Sequence, residues 1–149
     1  MSIMQPEKTT VLLTNDDGYN AKGLTELAKV LHSDPKIDLW VVAPAENKTG
    51  SSHAISLRKE ISIACKQSSD NLTLIVVDGT PADCVYLAVQ KLMCKRPDII
   101  ISGINHGANF GSDVYYSGTV GAAREGAIYG ILSYAVSHDK EYDANFDYG

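Results

Sequence analysis

Short apolar runs alternate along this chain with stretches of helical period. Thr10 to Thr14 reads as a first strand, and Leu24, Leu27, Ala28 and Leu31 then recur at i, i+3, i+4 and i+7, the spacing of an amphipathic helix. Leu39 to Ala43 predicts a second strand, stopped by Pro44. Between Ser56 and Asp78 the rhythm changes. Ile61 and Ile63 alternate with polar residues, and a polar break around Ser68 to Asn71 leads into Leu72 to Val77, as expected of a strand pair or sheet-edge excursion. Thr80-Pro81-Ala82-Asp83 has the form of a helix start, with Thr80 as cap, Pro81 at the first helical position and Asp83 near the positive end of the dipole. Val85, Val89 and Leu92 face the core of that helix. Asp98 to Ser102 is a further strand that runs into a polar, glycine-rich stretch. The small residues of Val120 to Gly130 predict a helix packed closely on the sheet, and Tyr134 to Ser137 predicts one more strand. The alternation implies an α/β fold, a mainly parallel sheet covered by helices.

A chain of 149 residues is the length of one ordinary domain. Hydrophobic residues at 44% and charged residues at 21% are globular values, and the longest apolar runs have strand length, so neither a disordered nor a membrane class is favoured. Met1 to Pro6 lacks a basic segment followed by an apolar one, which makes the cytoplasm the expected compartment. Cys65, Cys84 and Cys94 are odd in number and lack paired zinc spacing; with two of them in apolar surroundings, they read as reduced and structural. The net charge of -5 argues against a nucleic-acid polymer as partner but not against a small phosphate ligand, because a bound metal reverses the local field.

The chemistry gathers at strand ends. Asn15-Asp16-Asp17-Gly18 follows the run Val11 to Thr14 directly, and adjacent carboxylates at a strand tip call for a cation, a helix N-terminus or protonation. The same four residues also compose an ordinary solvated turn. The predicted strands ending at Asn15, Ala43 and Ser102 open into three polar loops that meet along one edge of a parallel sheet. They carry Asp16 and Asp17; Asn47, Thr49, Ser51, Ser52 and His53; and Ser102, Asn105, His106 and Asn109. Carboxylates with hydroxyl and amide oxygens suit a hard octahedral cation. Tyr116 to Gly121 leads into the small-residue helix, where free N–H groups and the hydroxyls of Ser117 and Thr119 suit an anion, or simply cap the helix. His53 and His106 are either acid–base groups or loop residues bonded to backbone, and His32 and His138 have no supporting context. Neither G-x-x-x-x-G-K-[ST] nor G-x-G-x-x-G opens a helix.

Four motifs in register resemble the SurE survival-protein nucleotidases, a family of metal-dependent 5'/3'-nucleotidases. They are Leu12 to Gly18; Val41 to Pro44 with Asn47 to Gly50; Gly79 to Val85; and Ser102 to Asn105 continuing through Asn109, Gly111, Asp113, Val114, Tyr116 to Val120 and Glu125-Gly126. The match runs from about Val11 to Ser137. The resemblance implies a Rossmann-like three-layer domain over residues 1–149, with one divalent cation per subunit (Mg, Mn or Ca) on Asp16, Asp17, Thr49 and Asn105. Phosphate or substrate is expected on Asn47, Ser102, Gly103, Ser117, Gly118 and Thr119. It implies hydrolysis of nucleoside monophosphates to nucleoside and phosphate by metal-activated water, with Asp16 and Asp17 as catalytic residues and Asp16 accepting the proton. Thr49 departs from the usual Ser: its hydroxyl still coordinates, while its methyl stiffens the rotamer and crowds the site.

The family's carboxyl-terminal segment helps build a homodimer or higher oligomer, and Tyr142-Asp143 resembles its start; the chain then stops. The expectation is therefore a domain short of that segment. Two alternatives stay open: a nucleotide- or metal-binding fragment without turnover, and a phosphatase for other phosphomonoesters or short polyphosphate.

Overall fold

One six-stranded sheet organises the chain in the computed structural model, which describes residues 7–139. In chain order the elements are β1 (Thr9–Thr14), α1 (Lys22–Ser33), β2 (Ile37–Pro44), β3 (Ile63–Ser69), β4 (Leu72–Val77) and α2 (Pro81–Leu87), which a π-helical turn, Ala88–Leu92, extends. Then come β5 (Ile99–His106), α3 (Asp113–Tyr116), α4 (Gly118–Ile128) and β6 (Leu132–His138). The strand order is β3-β4-β2-β1-β5-β6, parallel except for the antiparallel edge strand β3. The expected three-layer, mainly parallel architecture is the one observed. Tyr142-Asp143 lies outside the described residues, as do Met1 to Pro6.

Strand period decides the layers. Successive side chains of a strand leave on opposite faces, so in β1 Leu12 joins one core, with Val42, Val85, Ile100 and Ala122, while Val11 and Leu13 join the other, with Leu24, Leu39 and Val41. The first core is roofed by α2 and α4 and the second by α1. Burial on both faces explains why β1 reads as a continuous apolar run.

The chain steps from β1 to β2 and β4 on one side of the sheet and then returns to β5 on the other, so the direction of winding reverses between β1 and β5. The crevice beyond the carboxyl ends of those two strands is where such sheets bind ligands. It receives Asn15, Asp16 and Asp17 from one side and the end of β5 from the other.

Three local expectations are corrected. β2 includes Pro44, which pairs with Val77 at the strand end. β5 does not stop at Ser102: it continues to His106 across a register shift against β6, so Asn105 and His106 belong to a strand end and not to a loop. Gly103, at φ 141°, makes this continuation possible, since a Cβ there would run into the Val136 carbonyl of β6. Of the cysteines only Cys84 is buried; Cys65 and Cys94 are exposed. Burial and the neighbouring Asp83 charge push the Cys84 thiol up, which keeps it an inert core residue.

The helix start at Thr80 is as expected and more elaborate. Thr80 Oγ1 accepts the Asp83 N–H at 3.0 Å and Asp83 Oδ2 accepts the Thr80 N–H at 2.8 Å, a complete capping box. Asp83, 1% exposed, also accepts from the Ser56 N–H and hydroxyl, which ties the long β2–β3 connection to α2. Replacing it removes a cap and two further charge-assisted bonds. Asp83→Ala is expected to lower stability by about 2–4 kcal/mol, measured as the shift in the urea unfolding midpoint.

Candidate active site

Asp16 is 3% exposed and held in one orientation. Its Oδ1 accepts the Thr119 hydroxyl at 2.6 Å, and its backbone carbonyl accepts the Lys48 N–H at 2.6 Å. The amino-terminal turn of α4 comes this close because Gly118 has no side chain: a Cβ there would lie 2.8 Å from Asp16 Cβ and 2.6 Å from Ser51 Oγ. Asp17 is half-buried beside it and accepts the His106 N–H at 3.3 Å. Burial, and then the Asp16 charge, push the Asp17 carboxyl above its ordinary range, against the His106 N–H and the nearby imidazoles of His106 and His138.

Asp16, Thr49, Asn105 and Ser117 line one open cleft of about 270 Å³, together with His106, Asn109, Asp113 and Tyr116. Asn105 donates its Nδ2 to the Gly107 carbonyl at 2.9 Å, which leaves Oδ1 as its available acceptor. Ser51 Oγ and Asn15 Oδ1 are buried with no hydrogen-bond partner among the described residues. The cleft itself gathers the Asp16 carboxylate with hydroxyl and amide oxygens, a donor set that fits a hard divalent cation; Asp17, disfavoured as a charge, adjoins Asp16 in sequence but does not line that cleft. No group of three or more His, Cys, Asp or Glu side chains suited to a metal exists among the described residues, so a site here draws on hydroxyl and amide oxygens as well.

The remaining predicted residues occupy other places. Asn47 is exposed and accepts the Thr49 N–H at 2.8 Å, shaping the loop that presents Thr49. Ser102 is fully buried between β1 and β6, with its hydroxyl unpartnered among the described residues. Gly103 packs under Val136. Thr119 is fully buried and its hydroxyl is committed to Asp16. Ser117 caps α4 by accepting the Val120 N–H at 3.1 Å. The N–H groups of Gly118 and Thr119 belong to the first turn and have no intrahelical acceptor, the setting in which helix starts hold anions.

Ser52 and His53 fasten the second loop from behind. Ser52, at φ 54°, is in the left-handed region, where its N–H donates to the Tyr116 carbonyl at 2.9 Å and its hydroxyl to the Tyr115 carbonyl at 2.7 Å. His53 Nε2 lies 2.7 Å from Glu125 Oε2, and that carboxylate is 6% exposed. Burial and the Glu125 carboxylate also push the Tyr129 hydroxyl up. The His53–Glu125 pair is absent from any local sequence signal, because 72 positions separate its members. His138, which the sequence offered no reason to notice, pairs in register with His106 across β5 and β6, Nδ1 to Nε2 at 3.2 Å.

The model of the family "Survival protein SurE" matches residues 11–148. The chain belongs to the SurE family. It is 49% identical over 136 residues to the 5'-nucleotidase SurE of Caldanaerobacter subterraneus subsp. tengcongensis, covering 91% of this chain and 53% of that protein. It is 47% identical over 131 residues to the 5'/3'-nucleotidase SurE of Proteus mirabilis, covering 88% and 50%. The crystal structure of the SurE protein from Aquifex aeolicus superposes with a TM-score of 0.75 at 38% identity, over 90% of this chain and 52% of that one. This SurE chain therefore spans about half the length of the relatives it matches.

Truncating His53 leaves the buried Glu125 carboxylate without its imidazole. His53→Ala is expected to cost about 2 kcal/mol in urea unfolding, and adding Glu125→Gln to it is expected to recover part of that loss, the coupling being read from the double-mutant cycle.

Proposed function

We propose that this SurE chain carries the phosphate-hydrolysing centre of a divalent-metal-dependent nucleotidase, acting on nucleoside monophosphates to give nucleoside and phosphate. The single observation that carries the reading is the pair Asp16 and Asp17 at the reversal between β1 and β5, with Asp16, Thr49 and Asn105 on one cleft. The names of its relatives support the same chemistry.

Asp16, Asp17, Thr49 and Asn105 would hold the cation. When bound, a divalent cation neutralises phosphoryl oxygens and makes water a stronger nucleophile at neutral pH. The phosphate is received by the first-turn N–H groups of Gly118 and Thr119 with the Ser117 hydroxyl, where the helix dipole favours negative charge. Asp16 is the acceptor for the proton of the attacking water: one of its oxygens accepts the Thr119 hydroxyl, and the role requires that Asp16 be not fully committed to the cation, with Asp17 carrying the larger share. The Thr119 hydroxyl, Asn47, Ser102 and Gly103 serve this centre by holding its parts in place. We further propose a cytoplasmic protein that works as a homodimer or higher homo-oligomer. Among the described residues no helix is long and apolar enough to cross a membrane.

The half-length match favours one second reading, a domain that binds metal and nucleotide but needs further chain for turnover. Phosphate release from nucleoside monophosphates separates the two. The nucleotidase reading expects release that EDTA abolishes and added Mn²⁺ restores, and Asp16→Asn is expected to lower kcat by at least about a hundredfold. Wild-type turnover in Asp16→Asn with metal retained would remove Asp16 from its role; nucleotide binding without release would establish the second reading.

A further inference from the structure

The α1 face of the sheet is incompletely roofed. α1 packs mainly on β1, β2 and β5, and the connection from β2 to β4 contains the edge strand β3 in place of a helix, so among the described residues β4 has no helix of its own on that face. The gap is a cavity of about 230 Å³, bounded by Leu24 and Ala28 of α1 and by Val41, Leu72 and Leu74 of the sheet. Leu72 and Leu74 are only half-buried, although they pack against the second core.

The cationic groups of this wall lie along one helix edge. Lys29 and His32 follow Leu24 and Ala28 at helical spacing and line the same space. No Asp or Glu lines it, although the chain as a whole carries a net charge of -5. The Lys29 ammonium pairs at 2.7 Å with Glu26, which is not part of the wall, and has further N–H groups to donate. His32 Nδ1 is buried and has no hydrogen-bond partner among the described residues. Leaving such an atom unsatisfied is costly, and a ligand oxygen at the cavity's cationic edge removes the cost.

We propose that this cavity binds a small amphiphilic carboxylate, its hydrocarbon body against Leu24, Ala28, Val41, Leu72 and Leu74 and its carboxylate received by His32 and Lys29. The apolar wall supplies burial, and the cationic edge supplies charge-assisted donors. The volume lies below the roughly 300–1,000 Å³ of sites for drug-sized ligands, which sets the ligand near the size of octanoate. A plain hydrocarbon would leave His32 Nδ1 unsatisfied, and a polyanion would bring unpaired charge against the leucine wall. The inference does not depend on the phosphate-site reading, because the cavity shares no residue with the cleft beside Asp16.

Octanoate and octanol share a chain length and differ in the head group, and each is titrated into the full chain at neutral pH while the backbone amide resonances are followed by NMR. Octanoate is expected to shift resonances of α1, β2 and β4 with a Kd on the order of 0.1–1 mM, about tenfold more tightly than octanol. Lys29→Gln combined with His32→Leu is expected to erase that preference. Ala28→Met puts a longer side chain into the cavity from a half-buried helical position and is expected to abolish octanoate binding in a folded chain. Equal wild-type affinities, or a preference that survives the double variant, would overturn the carboxylate assignment. Octanoate binding that is absent from the wild type, or unchanged in Ala28→Met, would overturn the cavity as its site. Sedimentation velocity adds one more outcome: a concentration-dependent dimer that Ala28→Met abolishes would make this face an interface between copies and overturn the proposal.

Discussion

The amino-terminal turn of α4 sits closer to its neighbours than side chains at Gly118 and Gly121 would permit. At Gly118 the space belongs to Asp16 and Ser51, and at Gly121 to the Ser52 carbonyl, one turn further along the same helix face. This approach brings the Thr119 hydroxyl to 2.6 Å from Asp16 and sets Ser117 on the cleft. It also points the positive end of the helix at a crevice holding two carboxylates, a favourable field for Asp16. A methyl group at either glycine would push the helix outward and separate the crevice from the loop that completes it.

Electrostatics then make the crevice unfinished by design. Burial and the Asp16 charge disfavour ionisation of Asp17, and buried oxygens of Ser51 and Asn15 lack partners among the described residues. Buried polar groups are normally satisfied, and exceptions concentrate where a ligand supplies the missing interaction. Every donor of the proposed set is oxygen, whereas the imidazoles of His106 and His138 are engaged with each other beside it. That division favours a hard cation over a thiophilic or imidazole-seeking one.

What the sequence made legible was local or strictly periodic. The run Val11 to Thr14 announces a strand buried on both faces, Leu24 to Leu31 a helix, and Thr80-Pro81-Ala82-Asp83 a cap whose partners lie within three residues. Asp16, Thr49 and Asn105 could be grouped because parallel strands end on one edge. The misreadings are non-local. Gly103 looks like a terminator, and only the approach of Val136 from β6 reveals that β5 continues. The same shifted register sets His138 against His106, and α4 packing sets Glu125 against His53; neither partner is visible in a window of neighbouring residues. Thr119 reads as an anion donor from its place at a helix start, yet its burial directs the hydroxyl to Asp16.

Thr49 shows how a proposed ligand from a separate loop can still act with the others. Thr49 is exposed and lines the cleft. What a β-branched residue adds there is restriction of χ1. The backbone around it is already fixed: the Thr49 N–H by Asn47, the Lys48 N–H by the Asp16 carbonyl, Ser52 by the Tyr115 and Tyr116 carbonyls, and His53 by Glu125. Those anchors attach the loop to β1's end and to α3 and α4, the elements that carry Asp16 and Ser117. Displacing the loop therefore disturbs the same contacts that hold Asp16. The backbone that presents Thr49 is thus tied to the segment that carries Asp16, the kind of preorganisation that the proposed multi-loop metal site would require.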